Sequence, residues 1–236
     1  MKITFMICAR GGSKGVPWKN KKSPFKENNI YKRIKDKIES SLSNKYKIIV
    51  NTDDDEIERL AKNAGLNVFR RINSLGEASS RIIEVNSQYK IDSGDNFDYL
   101  INISPVAPFL RSESIKKTIE VINELRPACG GTTTNHHNNS HPTLAMHKDV
   151  VTNKVTYLLD EKKRYPRQAR KKTFFANGCL FFRAYNMING DKESNDLSDT
   201  FFPIFLDEIE SINIDSIYDW EIAKIIASSK EFDIYH

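Results

Sequence analysis

The chain has 236 residues, of which 39% are hydrophobic, 28% charged and 10% aromatic. This composition excludes a disordered chain and a fibrous repeat, and the length predicts one large domain or one domain with an appendage. The 36 basic and 31 acidic residues leave a formal charge of +5, a mild excess that suits a protein binding phosphates or acidic sugars.

Further features argue against several classes of protein. The chain has no helix-turn-helix signature, zinc-finger spacing or RNP motif, so we expect no nucleic-acid partner. No apolar run approaches the ~18 residues of a membrane helix, and the apolar stretch after Met1 is too short for a secretory signal. A cytoplasmic protein without a membrane partner is therefore predicted. Cys8, Cys129 and Cys179 have apolar or small neighbours and are expected to be buried free thiols.

The first 130 residues alternate short apolar runs with segments of helical periodicity. Strands are predicted at 3–8, 47–50, 66–69, 99–103 and 128–134, and helices at 30–42, between a cap at 52–54 and Gly65, at 78–89 and from 112 onwards. This order predicts an α/β fold with a mostly parallel central sheet and helices on both faces. Ligands of such sheets bind beyond the carboxyl ends of the strands, so we expect the chemistry in the loops there.

The alternation breaks between residues 135 and 205. Residues 150–159 alternate like a hairpin and 178–182 are typical of a strand. A strand at 211–214 and a helix at 216–228 are predicted to follow. We therefore predict a single domain over 1–236 that carries an extension within 135–205.

The most informative motif, ARGGSKGVPWKN at residues 9–20, directly follows the first predicted strand. Its glycines allow backbone N–H groups to approach a phosphate chain, and Arg10, Lys14 and Lys19 carry charge that matches a triphosphate. The motif is neither a Walker A sequence nor GxGxxG. A flexible basic turn is the alternative interpretation.

This motif resembles the signature of the acylneuraminate cytidylyltransferase family, which includes CMP-sialic, CMP-legionaminic and CMP-pseudaminic acid synthetases. Other segments similar to family motifs follow in the family's order: NTDDDEI at 51–57, FRR at 69–71 with ASS at 78–80, SPVAPFL at 104–110, HP at 141–142, RQ at 167–168 with NG at 177–178, and INID at 212–215. The resemblance implies a Rossmann-like nucleotidyltransferase fold. It also implies the coupling of CTP to a nine-carbon α-keto acid sugar, with Mg²⁺ as cofactor and pyrophosphate as the second product.

The resemblance also assigns residues of the nucleotide site. Contacts to CTP are expected from Arg10, Gly11, Gly12, Ser13, Asn20, Arg71 and Ser80. The expected catalytic residues, with Lys14 and Lys19 near the phosphates, are Arg10, Lys14, Lys19 and Asp215. Each assignment has a simpler alternative: a solvated cation for Arg71, a helix N-terminal residue for Ser80, a turn residue for Asn20.

Asp215 is the principal expected metal ligand, because Mg²⁺ prefers oxygen ligands and takes one or two carboxylates from the protein. Asn213 stands where the family has an aspartate, and its neutral amide oxygen is a weaker ligand. This difference leaves three alternatives: Asp215 and the triphosphate suffice to bind the metal, the metal affinity is lowered, or a catalytic role is lost. A cap on the last helix is the alternative role for Asp215.

The resemblance places the acidic sugar at Ser104, Arg167, Gln168 and Asn177. An arginine suits a carboxylate through paired hydrogen bonds, although a basic run is also typical of a solvated surface. Ser104 replaces a glutamine of the family and the loop 104–110 is more apolar, which favours a deoxy sugar of legionaminic type.

The family forms homodimers in which an extension of one subunit reaches the sugar site of the other, so the resemblance implies a homodimer built through 135–205. Phe201, Phe202 and Phe205 would then be interface or sugar-site residues, with ordinary core burial as the alternative. A zinc site at His136, His137 and His141 is not favoured, because their spacing fits no strong template.

Three other functions stay open. The change at Ser104 is compatible with the same chemistry on Kdo, pseudaminic acid or a phosphonate. A glycosyltransferase that consumes a nucleotide sugar often carries an acidic DxD after a mid-sheet strand, which Asn102-Ile103-Ser104 lacks. The third hypothesis, a non-catalytic nucleotide-binding relative, is supported only by Asn213 and Ser104.

Overall fold

The computed structural model describes residues 1–12, 15–25, 29–41, 46–77, 79–136, 140–159, 166–188 and 201–229. The strands within these ranges are β1 (Ile3–Cys8), β2 (Lys47–Thr52), β3 (Asn67–Arg70), β4 (Tyr99–Ile103), β5 (Cys129–Asn135), β6 (Met146–Lys148), β7 (Val155–Tyr157), β8 (Phe174–Ala184) and β9 (Phe201–Phe205). The α-helices are α1 (Ile30–Ser41), α2 (Asp55–Asn63), α3 (Ile82–Asp92), α4 (Ser112–Leu125) and α5 (Ile217–Ser228).

Seven of these strands form one central sheet in the order β3-β2-β1-β4-β8-β5-β9. β8 runs antiparallel to both of its neighbours, whereas the other described pairings in this sheet are parallel. Ile7 of β1 is in register with Val50 of β2 and with Ile103 of β4, so the carboxyl ends of these strands lie at one edge. The predicted α/β fold with a mostly parallel sheet is confirmed.

Successive residues of β1 enter different parts of the hydrophobic core. Phe5 and Ile7 pack in the cluster that contains Ile38 of α1, whereas Met6 packs with Ile83 of α3. Neighbouring side chains of a strand point to opposite faces, so this division means that helices cover both faces of the sheet. The four-residue apolar spacing predicted for the first helix is the buried face of α1.

A third apolar cluster lies at the carboxyl edge and joins loops that are far apart in sequence. It contains Val16, Phe109 and Ile214 together with Trp220 of α5. The rings of Trp18 and Trp220 meet edge to face, with 4.4 Å between centroids. Helix α5 therefore holds the loop after β1 against the loops that follow β4 and β9.

The predicted strand at 211–214 is wrong, since these residues form a turn and an extended loop. The N–H of Ile214 donates to the carbonyl of Val106 at 2.9 Å, and no ladder of such bonds forms. The alternation of apolar residues here serves burial of Ile214 in a loop. The strand that does reach the sheet is β9, further towards the N-terminus.

A hairpin forms in the extension, as predicted, but its first strand, β6, lies before the predicted segment 150–159, and the first residues of that segment form the turn. Met146 of β6 pairs with Tyr157 of β7. The carboxylate of Asp149 accepts the N–H groups of Val151 and Thr152 at 2.9 and 2.7 Å, which starts the turn there. This hairpin forms a sheet of its own, whereas β8 and β9 belong to the central sheet. Within the described part of the chain, no helix has the length and apolar character needed to span a bilayer.

Candidate active site

The Gly-rich loop after β1 is closed at its base by polar contacts. The Asn20 side-chain amide donates to the carbonyl of Arg10 at 2.9 Å. The hydroxyl of Tyr31, on α1, donates to the carbonyl of Asn20 at 2.7 Å. The buried amide of Asn20 therefore joins the two ends of the loop, a structural task that fits the turn alternative. Ser13 and Lys14, two predicted site residues, lie outside the described residues.

Gly11 packs against the acidic start of α2. Its N–H donates to the Asp53 carboxylate at 3.1 Å, and a Cβ at this position would overlap the carboxylate of Asp54. Asp54 is the N-cap of α2 and also pairs with the ammonium of Lys21 at 2.9 Å. By contrast, a Cβ at Gly12 would meet open space, which leaves room for a ligand beside the backbone.

The predicted nucleotide residue Arg71 is buried and held by Asn51. Its Nε donates to the Asn51 side-chain oxygen at 2.8 Å and its Nη2 donates to the Asn51 carbonyl at 2.9 Å. Nη1 donates to the Leu75 carbonyl at 3.3 Å, so the simple alternative of a solvated cation is wrong. The Ser80 hydroxyl donates to the carbonyl of Ser74 at 3.1 Å, in the same loop.

Asn51 was not singled out from the sequence, although a polar residue that ends a buried strand is a usable signal. It is fully buried, and its Nδ2 has no hydrogen-bond partner among the described residues. Asn86 and Asn102 form a reciprocal amide pair nearby, with distances of 2.8 and 3.0 Å. The Asn102 amide also lies 3.6 Å from the Cys8 sulfur, so a polar layer lies beneath the carboxyl edge.

The three cysteines are free, as predicted; Cys129 and Cys179 are buried, whereas Cys8 is half-buried. The thiols of Cys8 and Cys179 have raised pKa values. Burial raises the pKa of Cys8 to about 11, although the guanidinium of Arg71 opposes this effect. Burial also raises the pKa of Cys179 to about 12. Both thiols are therefore protonated at neutral pH, which disfavours a nucleophilic role.

Two predicted catalytic residues, Lys19 and Asp215, meet at this edge. The Lys19 ammonium lies 2.6 Å from the Asp215 carboxylate and donates to the Ile214 carbonyl at 3.0 Å. Gly15 packs so closely on the carbonyl of Asp215 that a Cβ would overlap it. The loop after β1 and the segment 213–215 are therefore adjacent, although they are almost 200 residues apart in sequence.

Asp215 does not cap the last helix. Ser216 is the N-cap of α5 and forms a capping box with Asp219. Asp219 also accepts the N–H of Asp215 at 3.1 Å, which orients the backbone. The Asp215 side chain is 73% exposed and so remains accessible to a ligand.

Asn213 and Asn177 are joined at the same edge. The Asn213 Nδ2 donates to the Asn177 carbonyl at 3.1 Å, and Gly178, with φ +75°, allows this close approach. The Asn177 side-chain oxygen accepts from the Thr132 hydroxyl at 2.6 Å. Asn213 Oδ1 and Asn177 Nδ2 are both buried and have no hydrogen-bond partner in the described ranges.

The side chains at 213 and 215 fit the Mg²⁺ that the resemblance implies. Asn213 offers a buried carbonyl-type oxygen with no hydrogen-bond donor among the described residues, and Asp215 offers an exposed carboxylate. Both are hard oxygen donors of the kind that Mg²⁺ prefers. One amide and one carboxylate would be a sufficient protein contribution, because the phosphates of a bound nucleotide would supply further oxygen ligands.

The predicted sugar residues are not equally placed. The Ser104 N–H donates to the Cys179 carbonyl at 2.9 Å, two residues beyond Asn177. Arg167 and Gln168 lie exposed on a 3₁₀ turn, Arg167–Ala169, in the segment that precedes β8. Ser104 and Asn177 therefore lie near each other through the backbone of β8, whereas Arg167 and Gln168 lie on the surface.

Two of the clustered histidines have contacts within the fold. The ring nitrogens of His141 lie 2.8 Å from the Thr143 hydroxyl and 2.9 Å from the Lys171 carbonyl. The ring of His136 packs on that of Phe175. His137 lies outside the described residues. The hydrogen bonds of His141 give it a structural role, because they join the loop after β5 to the segment before β8.

The sequence and the fold are similar to those of known cytidylyltransferases. A family model described as "Cytidylyltransferase" matches residues 4–210. N-acylneuraminate cytidylyltransferase A of Danio rerio is 24% identical over 228 residues, which are 94% of this chain and 50% of that protein. CMP-N,N'-diacetyllegionaminic acid synthase of Legionella pneumophila is 24% identical over 241 residues, which are 95% of each chain.

A solved structure titled CMP:2-keto-3-deoxy-manno-octonic acid synthetase complexed with CTP has a TM-score of 0.67 and 14% identity, over 96% of this chain and 98% of that one. The chain spans half or less of the length of the two Danio rerio relatives, N-acylneuraminate cytidylyltransferases A and B. The resemblance inferred from the motifs is confirmed at the level of the family. Because the family model covers most of its length, this chain belongs to the cytidylyltransferase family.

Proposed function

We propose that this protein activates a nine-carbon α-keto acid sugar, of sialic or legionaminic type, with CTP to give a CMP-sugar and pyrophosphate. The observation that carries the proposal is the 2.6 Å ion pair between Lys19 and Asp215. It joins the Gly-rich loop to the segment 213–215 at the carboxyl edge of the sheet. Membership of the family supports this reaction over the glycosyltransferase alternative.

In the proposed reaction, the anomeric oxygen forms a bond to the α-phosphorus of CTP while the bond to the bridging oxygen breaks. Pyrophosphate leaves, and the proton of the anomeric hydroxyl is lost to solvent. Such an in-line transfer needs charge neutralisation and positioning more than a covalent protein group. The chain's own residues would supply both.

The phosphates would lie beside Gly12, where the backbone faces open space, and bind the side chains of Arg10, Lys14 and Lys19. The nucleoside would lie over the loop that Arg71 orders, near Ser80. Asn213 and Asp215 would hold Mg²⁺, which when bound supplies positive charge to the phosphates. Lys19 keeps the carboxylate of Asp215 beside the loop.

For the acceptor, we propose a sugar of legionaminic type. The loop 104–110 presents Ser104 in place of the family glutamine, whereas its apolar side chains, Val106, Ala107, Phe109 and Leu110, pack in the core. The proposal of an acceptor that has lost hydroxyl groups therefore depends on Ser104 and on the family resemblance. Arg167, Gln168 and Asn177 are proposed to bind the acidic sugar, and this rests on the family resemblance.

We also propose a homodimer built through the β6–β7 hairpin. Val150 and Val151 in its turn are 89% and 86% exposed, and Leu158 is 66% exposed. Phe174 and Phe205 are also exposed, and their rings pack together at 4.8 Å. Exposed apolar side chains of this kind are typical of an interface between subunits, and a second copy of this chain is the proposed occupant.

The reaction is tested by pyrophosphate release from CTP and Mg²⁺ with purified protein. N-acetylneuraminate, diacetyllegionaminate, pseudaminate and Kdo are supplied separately. We expect the fastest release with diacetyllegionaminate. Preference for Kdo or pseudaminate would contradict the proposed acceptor class but would still support the proposed transfer of CMP from CTP. No release with any acceptor, together with measurable CTP binding, would favour the non-catalytic relative.

The role of Asp215 is tested with Asp215→Ala. Losing a residue that holds transition-state charge is expected to lower turnover by at least about 100-fold. Glu221→Gln is the matched control, because Glu221 is an exposed carboxylate of α5 that pairs with Lys224. Unchanged turnover in Asp215→Ala would contradict the metal assignment.

A further inference from the structure

A lysine side chain of α1 contacts the backbone of the loop 104–110. The Lys37 ammonium donates to the carbonyl of Pro108 at 2.9 Å and to that of Leu110 at 2.6 Å. Both acceptors belong to buried residues. These carbonyls are 71 and 73 residues away from Lys37 in the sequence, so the contact exists only in the folded chain.

The loop is connected at its other positions to the candidate active site. The Ser104 N–H donates to the Cys179 carbonyl, and the Val106 carbonyl accepts the N–H of Ile214, both at 2.9 Å. Ile214 lies between Asn213 and Asp215. A shift of the loop near residues 108–110 would therefore also displace the segment 213–215, which carries the proposed metal ligands.

The surroundings of Lys37 are mostly apolar. It borders a cavity of about 10 Å³, which has room for one water molecule at most, with Ile34, Ile103 and Ile115 among the lining residues. The cavity is therefore too small for a ligand, and the Lys37 ammonium donates hydrogen bonds to the two loop carbonyls.

We propose that Lys37 is a positioning residue that sets the backbone of the acceptor loop 104–110 through its two hydrogen bonds to the carbonyls of Pro108 and Leu110. The assignment of this loop to the acceptor rests on the proposed function. The contact of Lys37 with the loop is independent of that function. Charge-assisted hydrogen bonds are about twice as strong as neutral ones. The protonated amine of Lys37 is therefore expected to bind the two loop carbonyls more strongly than the neutral amine.

The charge of Lys37 changes in the physiological range. Burial lowers its pKa to about 7, with a smaller effect in the same direction from the guanidinium of Arg33. Glu210 and Glu113 raise the pKa and Arg111 lowers it, from the segment after β9 and from the start of α4. Below pH 7 the charged amine holds both carbonyls, and above pH 7 the neutral amine donates weaker bonds.

The first test is hydrogen exchange of the loop amides in the free protein. Ala107 and Leu110 donate their N–H groups to the Ser104 and Ala107 carbonyls and report on loop order. In Lys37→Met at pH 6, we expect the protection factors of these amides to fall at least about tenfold, the loss of one hydrogen bond to a charged group. Lys32→Met is the matched control, since Lys32 is exposed on the same helix.

The pH arm uses the native protein and Lys37→Arg. Protection factors corrected for intrinsic exchange should decline in the native protein between pH 6 and pH 8.5. They should stay level in Lys37→Arg, because a guanidinium remains charged. Where Lys37→Met does not fold, the comparison of the native protein with Lys37→Arg still tests whether the charge of residue 37 affects the order of the loop. Equal protection in all proteins and at both pH values would overturn it.

The second test uses kinetics with whichever acceptor is turned over. Lys37→Met should raise the KM for the acceptor about tenfold, which corresponds to one charge-assisted hydrogen bond, and leave the KM for CTP within about twofold. Lys37→Arg should restore the acceptor KM. Equal rises in both KM values would overturn the link to the acceptor. If no acceptor is turned over, the proposed function fails, and the exchange experiment still decides the role of Lys37.

Discussion

The two polar atoms of the Asn213 side-chain amide differ in their hydrogen bonding. Its nitrogen donates to the Asn177 carbonyl at 3.1 Å, and its oxygen is buried without a donor among the described residues. A carboxylate at this position would place a charged oxygen against that carbonyl. Asn213 therefore stabilises the contact with Asn177 when no metal is bound, whereas an aspartate would be the stronger ligand for a bound cation.

Asn213→Asp is expected to lower the free energy of unfolding by about 1–3 kcal/mol in EDTA, because a buried acceptor loses its donor. Added Mg²⁺ should recover stability more in this variant than in the native protein, because a carboxylate is the stronger ligand. Urea unfolding with EDTA and with Mg²⁺ measures both effects. Identical Mg²⁺ responses in the two proteins would remove residue 213 from the metal site.

At the scale of elements, the start of α2 connects helix stability to the Gly-rich loop. Asp54 caps the helix by accepting the N–H of Ile57 at 2.9 Å, and it pairs with Lys21. Burial raises the pKa of Asp54, but the hydrogen bonds from Ile57 and Lys21 outweigh it and hold that pKa below its ordinary value of 3.8. A carboxylate with a depressed pKa stabilises the fold above its ordinary pKa and loses this effect as the pH falls through the folded-state pKa.

Asp54→Ala is expected to lower the free energy of unfolding by about 1–2 kcal/mol at pH 7, the range for the loss of an N-cap. Urea unfolding between pH 3 and pH 7 should show that the difference from the native protein narrows below pH 4. Asp55→Ala is the control, because its carboxylate is 96% exposed and its pair with Arg70 should contribute less than about 1 kcal/mol. A difference that does not change with pH would show that the charge of Asp54 contributes nothing.

At the scale of the whole molecule, the hairpin predicts the oligomeric state. Replacing Val150 and Val151 together with serine removes apolar surface from the proposed interface while leaving the β6–β7 pairing intact. We expect a native dimer and a monomeric variant by light scattering at micromolar concentration, since the buried apolar area drives association. Ile91→Ser, at an exposed position on α3, is the control and should leave the dimer unchanged. A native monomer would contradict the proposal.

The elements that the sequence predicted well are those whose signal is local. The spacing of Ile30, Ile34 and Ile38 is that of α1 itself, and the Gly-rich loop follows β1 directly. The last helix begins at a capping box formed by Ser216 and Asp219, two residues three positions apart that contact each other. Such patterns depend on neighbours within one turn, so periodicity and residue type are enough to identify them.

Where a residue's partner is distant, the sequence pattern misled or was silent. Residues 211–214 alternate like a strand, yet Ile214 bonds to Val106, more than 100 residues away, and forms no ladder. One boundary was wrong for a local reason: the helix predicted from 78 begins at Ile82, because the Glu84 carboxylate accepts the N–H of Arg81. Lys37 and Asn51 have no motif of their own, and their roles follow from the carbonyls and the guanidinium that the fold brings to them.

The sequence by itself determined the α/β fold, the family and most residues of the candidate site. Only the tertiary structure decided which residues meet: Lys19 with Asp215, Asn213 with Asn177, and Arg71 with Asn51, a residue that had not been singled out from the sequence. The physical reason is that fold class depends on the burial of periodic apolar side chains, which is written along the chain. A site depends instead on which polar groups have lost water together at the sheet edge, and that is fixed by contacts between segments up to 196 residues apart.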